Sequence, residues 1–152
     1  MMNNEEILQE KISNVLLDVI NTFSKVNRKK RDYGIGEPLF HSEIYTLNEI
    51  KEHEGIHITA LAEQCGVTKG AVSQVLKKLE QKELITKEKD IRNQSRLILK
   101  LTATGEIAYA HHLEHQKEFK KMVVGILQDG NDENIDFVKD FLVKVEEKLN
   151  RL

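Results

Sequence analysis

Between residues 8 and 26 the apolar positions Leu8, Ile12, Val15, Val19, Phe23 and Val26 recur at steps of four, three, four, four and three. That period lines one side of a helix and predicts a single helix from about Asn4 to Arg31. The basic run Arg28, Lys29, Lys30, Arg31 closes it, and the next stretch holds Gly34, Gly36 and the lone Pro38, which mark a loop. Pro38 suits the first turn of a following helix that stops near Gly55. A short helix comes next, with Thr59 as its expected N-cap and Gly66 as its stop. Thr68 then caps a helix whose buried side is Val72, Val75, Leu76 and Leu79.

After Leu84 the pattern changes. Two β-prone runs, 84–90 and 96–102, flank a polar stretch and predict a hairpin. Thr102 or Thr104 is placed to cap a long helix, which "DGND" at 129–132 interrupts. The last helix carries Val138, Leu142, Val145, Leu149 and Leu152 in a four-three alternation, a seam that fits packing along another helix.

Charge sharpens this picture. The chain of 152 residues has a formal net charge of -2, yet 68–100 holds nine Lys or Arg against four acids, a local charge of +5 on a body of -7. A basic centre on an acidic body is a candidate surface for an anionic partner. No apolar run approaches a membrane span, the N-terminus has no signal-like apolar region, and Cys65 is the only cysteine. A cytoplasmic protein is therefore expected.

The outer face of the 68–81 helix carries Lys69, Gly70, Ser73, Gln74, Lys77 and Lys78, with no acid before Glu80. A solvated face ordinarily mixes both signs of charge. A short capped helix, a turn, a second helix and a hairpin make the layout of a winged helix-turn-helix, whose second helix enters the DNA major groove. Leu61 and Cys65, four apart, are placed to pack against Val72, Val75 and Leu76. Thr68 and the free amides behind it suit a phosphate, Gln74 an adenine edge, and Lys77 and Lys78 the backbone. The hairpin tip, Arg92, Asn93, Gln94, Ser95 and Arg96, suits the backbone or an adjacent minor groove, with Asp90 as an internal partner for a wing arginine.

The run "ITALAEQCGVTKGAVSQVLKKLEQKELITKEKD" joined to "IRNQSRLILKLTATG" resembles the MarR family of transcription regulators. The resemblance implies a mainly α fold with a small β-wing. Its winged helix-turn-helix DNA-binding domain (37–101) is flanked by an N-terminal dimerisation helix and loop (1–36) and C-terminal dimerisation helices (102–152). It implies a homodimer on a pseudo-palindromic double-stranded operator, usually as a repressor, and leaves room for a small-molecule effector. Asn93 stands where the family often has a second wing acid, and the basic residue expected just after it is displaced to Arg96.

Other chemistries have less to stand on. His111 and His115 share a helix face, His112 is adjacent and His41 opens an earlier helix, so a zinc-responsive regulator of the same fold is one alternative. Zinc takes three or four ligands, and spacing supplies only a pair. Cys65 falls on an apolar stripe and reads as a small core residue. Tyr33, Tyr45 and Tyr109 are candidates for lining a cavity. No phosphate loop, nucleophile elbow or paired-carboxylate constellation is present, so an enzyme is not expected. A winged-helix protein-interaction module that does not bind DNA is the remaining alternative.

Overall fold

In the computed structural model, which describes residues 1–152, the first helical segment is interrupted rather than uniform. Helix α1 (Asn4–Leu8) passes through a π-helical turn, Gln9–Ser13, into α2 (Asn14–Asn27). One wide turn shifts the phase of an apolar stripe by about one residue, which steps of three and four do not reveal. The helix holds the whole stripe but ends before the expected Arg31, with Asn27 its last residue and Arg28 its C-cap. Arg31 instead pairs with Leu39 through two backbone hydrogen bonds, each 2.9 Å. This bridge closes the intervening loop, where Asp32 Oδ1 accepts the amides of Ile35 and Gly36.

The same bridge corrects the role expected of Pro38. Both backbone groups of Leu39 are committed to an extended pairing, so no helix forms until Phe40, the N-cap of α3 (His41–Glu52). Helix α4 (Ile58–Gln64) begins one position after His57, which displaces Thr59 as the N-cap. The His57 carbonyl accepts the first helical bond from Leu61 at 2.8 Å, leaving Thr59 inside the first turn. Gly66, at φ +65°, provides the left-handed stop expected of it.

Thr68 caps α5 (Lys69–Gln81) as its sequence position implies, its Oγ1 accepting the Ala71 amide at 3.1 Å. Glu83, at φ +56°, ends that helix in a conformation more often given to glycine. Strands β1 (Ile85–Lys89) and β2 (Leu97–Leu101) form the antiparallel wing, with Ile85 opposite Leu101 and Lys89 opposite Leu97. Thr102, rather than Thr104, caps α6 (Ala103–Leu127). Its hydroxyl accepts the Gly105 amide and donates to the Glu83 carbonyl. Helix α7 (Asp132–Leu149) starts at an Asn131 cap and stops before Leu152, the last member of its seam.

Ile44, Leu47 and Ile50 of α3, Leu61 and Ala62 of α4, Val72, Leu76 and Leu79 of α5, and Leu99 of β2 share one buried cluster. Cys65 and Val75 pack against it, so the contacts that hold α5 across α4 are those the spacing anticipates. The chain divides into two compact units, 1–112 and 113–152, and this core lies within the first. Elsewhere apolar side chains stay open to solvent. Val15, Val19 and Phe23 of α2 are more than half exposed in the first unit, as are Val124, Ile126 and Phe137 in the second.

Candidate nucleic-acid interface

The α5 helix turns its apolar side into the core and leaves Lys69, Gly70, Ser73, Gln74, Lys77 and Lys78 exposed. Thr68 at its cap and Arg92 to Arg96 in the wing tip are exposed as well. A Cβ at Gly70 would meet only Thr68 Oγ1, at 4.0 Å. Nothing inside the protein therefore requires the missing side chain there, which leaves room for an external group to approach the backbone.

Not every polar group on this face projects outward. Ser73 Oγ donates to the Lys69 carbonyl at 2.8 Å, so its hydroxyl offers a partner acceptor capacity only. In the wing tip Asn93 Oδ1 accepts both the amide and the hydroxyl of Ser95. Asp90 Oδ1 accepts the Arg92 amide at 2.8 Å, so it holds the backbone of the turn instead of pairing with an arginine side chain. With these three groups fixing the turn, Arg92, Gln94 and Arg96 are the side chains left to project from it.

The cations of the winged domain fall into two sets. Lys51 pairs with Glu106 (2.7 Å), Lys82 with Glu43 (3.1 Å), Lys87 with Glu80 (2.9 Å) and Lys100 with Glu88 (2.9 Å). Their carboxylate partners hold the ammonium groups of Lys51 and Lys100 above the ordinary lysine range. Lys69, Lys77, Lys78, Lys89, Arg92 and Arg96 have no carboxylate within ion-pair distance. The unneutralised charge therefore gathers on α5 and the wing, where it adds to a field that attracts anions.

Between these two elements lies an open groove of about 500 Å³, lined by His57, Thr59, Glu63, Lys69, Ser95 and Arg96 among others. It joins the start of α4 to the start of α5 and to the wing tip. His57 and Thr59 are site residues that the sequence motif alone does not supply, because the hairpin reaches α4 only in three dimensions. A second open groove, about 400 Å³, lies between α3, β2 and the start of α6, where the Lys51–Glu106 pair neutralises part of its lining.

The histidines are dispersed. His41 stacks on Tyr45 at 5.9 Å, and burial pushes its imidazole below the ordinary histidine range. His111 lies against Gly34, where a Cβ would run into the imidazole. His112 is buried edge-on to Tyr33, with ring centroids 6.1 Å apart. His115 of the second unit is 3.5 Å from Glu118. No three His, Cys, Asp or Glu side chains of the chain are grouped to hold a metal ion, which takes three or four such ligands. Cys65 is half-buried, 3.9 Å from Thr46 Oγ1, and burial raises its thiol. Tyr33 and Tyr109 join the apolar core, and the Tyr109 hydroxyl donates to Glu52.

Two helices crossed over a shared core, the second with a bare cationic face beside a two-stranded wing, define the winged helix-turn-helix class. Residues 39–94 match the MarR family model, so the resemblance carried by the sequence is borne out. Solved structures agree over almost the whole chain. AdcR, the adhesin competence repressor of Streptococcus pyogenes, is 19% identical at a TM-score of 0.76, covering 91% of this chain and 98% of its own. The zinc-responsive MarR family member ZitR of Lactococcus lactis is also 19% identical, at a TM-score of 0.77, covering 93% and 99%. FabT of Streptococcus pneumoniae, solved in complex with DNA, is 20% identical at a TM-score of 0.72, covering 97% and 99%. At these identities the likeness establishes the mainly α fold with its small β-wing. No curated protein sequence matches the chain, and no helix is long and apolar enough to cross a membrane.

Proposed function

We propose that this protein is a sequence-specific, DNA-binding transcription regulator of the MarR type, acting as a homodimer on a pseudo-palindromic operator. The observation that carries the reading is the outward face of α5 and the wing tip, where exposed cations have no carboxylate partner while the lysines around them are neutralised. Lys69, Gln74 and Lys77 enter the major groove with Gly70 at the closest approach. Thr68 and Ser73 receive the edges of the site, and Lys78 adds backbone affinity. Arg92, Gln94 and Arg96 reach phosphate or minor groove from a turn held by Asn93 and Ser95.

The dimer follows from apolar surface. Side chains such as Val19, Phe23, Ile126 and Phe137 are too exposed for an isolated chain, and a two-fold partner covers such faces in pairs. In this reading 1–36 and 102–152 supply the dimer contacts and 37–101 binds DNA. The protein is a cytoplasmic repressor without catalytic activity. A small-molecule effector that favours another spacing of the two recognition helices would release the operator.

The test is selection of purified protein on a pool of random duplexes at near-physiological salt, followed by sequencing of what is retained. Enrichment of an inverted repeat is the expected result. Retention of no duplex, or retention without any sequence preference, overturns the reading of a sequence-specific regulator.

A further inference from the structure

Lys30 Nζ lies 4.5 Å from the centroid of the Phe40 ring, and Lys78 Nζ lies 5.9 Å from the same centroid. One lysine comes from the loop after α2, the other from α5. We propose that the basic run Arg28, Lys29, Lys30 and Arg31 is a second arm of the DNA-binding surface. It meets phosphates beside Lys78, at the end of the exposed α5 face opposite Lys69 and the wing tip, an assignment that rests on the DNA-binding reading above.

The placement is built into the backbone. The Arg31–Leu39 bridge fixes the residues on either side of it, so Lys30 and Phe40 face each other across a pair of 2.9 Å hydrogen bonds. Leu39 is fully buried, whereas Phe40 keeps 38% of its surface exposed with an ammonium on it from each element. A ring face attracts a cation, yet two like charges within about a Debye length (~10 Å at 0.1 M salt) repel each other. None of Arg28, Lys29, Lys30, Lys77 and Lys78 has a carboxylate within ion-pair distance to relieve that repulsion. An external polyanion relieves it.

Continuity with α5 identifies the polyanion. Lys78 lies one helical turn beyond Gln74 on the same exposed flank. At the opposite end of the helix, Lys69 shares its groove with Ser95 and Arg96 of the wing. Cations therefore border the exposed face of α5 at both ends, the wing at one and the run at the other. A helix lying in a major groove has a phosphate backbone along each edge, and contacts to both fix its register.

The test compares the wild type with a Lys29→Gln/Lys30→Gln double variant by fluorescence anisotropy over a salt series. The probes are the duplex recovered by the selection and a random-sequence duplex. The plot of log affinity against log salt is expected to become shallower by about 0.9 per lysine on both probes, with the preference between them unchanged. Lys100→Gln, whose charge Glu88 already neutralises, serves as the control and is expected to keep the wild-type slope. Both substituted lysines are exposed, and a matching circular dichroism spectrum checks the fold. If the wild type binds neither duplex, the DNA-binding reading fails and the arm fails with it. If the wild type binds and the double variant keeps its slope, the arm alone is overturned.

Discussion

Glu43 and Lys82 form an ion pair at the edge of the core that ties the first turn of α3 to the end of α5. Glu43 is 1% exposed, its Oε1 is 3.1 Å from Lys82 Nζ, and its Oε2 accepts the Phe40 amide at 2.8 Å. One carboxylate thus holds a helix start and anchors the recognition helix against it. Glu37, 3.6 Å from the same ammonium, is a more exposed second partner.

Glu43→Ala is expected to destabilise the protein by about 3 kcal/mol, because it strands Lys82 near the core and leaves the Phe40 amide without its acceptor. Replacing both partners with Met removes the unpaired charge and is expected to recover part of that loss. Urea unfolding at one fixed protein concentration measures both. Equal stability of the single variant and the wild type would show that Glu37 replaces Glu43 completely.

Gly105→Ala is expected to cost at least 1–3 kcal/mol, the range for overpacking a tight site. An added Cβ there would collide with the Leu84 carbonyl oxygen, which already accepts the Thr102 amide at 3.0 Å. Backbone cannot turn aside as a side chain does, so the wing and the start of α6 would have to separate. A thermal scan showing a lowered midpoint is the expected outcome; an unchanged midpoint would mean that α6 shifts freely against the wing.

Gln74→Ala is expected to cost about 1–3 kcal/mol in operator binding and to relax preference at one base position per half-site. The residue lies exposed between Gly70 and Lys78 along α5 and makes no hydrogen bond within the protein that would compete with a base edge. Repeating the selection with the variant reads the position directly. Equal weakening on operator and random duplex would reject a base-reading role for Gln74.

What the sequence made legible was what nearest neighbours decide. Thr68 and Gly66 act as cap and stop because both roles depend on a few adjacent residues. The stripe of Val72, Leu76 and Leu79 gives the buried side of α5, and with it the exposed face. Pro38 and Thr59 do not start helices as their neighbours alone imply, because tertiary contacts set those starts: Arg31 holds Leu39 extended, and Ile58 joins the core from inside α4. Lys30 beside Lys78 and His57 beside Arg96 were hidden for the same reason, since each pair comes from separate elements that only the fold brings together. Asp90 is the internal partner of a wing arginine that its position implies, and the fold adds only which atom it holds, the Arg92 amide.

Tyr109 provides a prediction in the alkaline range. Its hydroxyl donates to Glu52, and that bond, with burial and the nearby carboxylate charges of Glu52 and Glu106, pushes the phenol from 10.0 up to about 12. The folded protein therefore keeps a proton that the unfolded chain loses earlier. The resulting stabilisation is fully present below pH 10 and is lost as pH rises from there through about 12. Burial also raises Tyr33 and Tyr45, so an ultraviolet titration of tyrosinate should show all three tyrosines ionising above the ordinary value while the fold persists. Glu52→Leu removes both the hydrogen-bond acceptor and the charge that hold the Tyr109 proton and is expected to bring the last ionisation back toward 10. An unchanged titration in that variant would mean that the Glu52 carboxylate does not control the phenol.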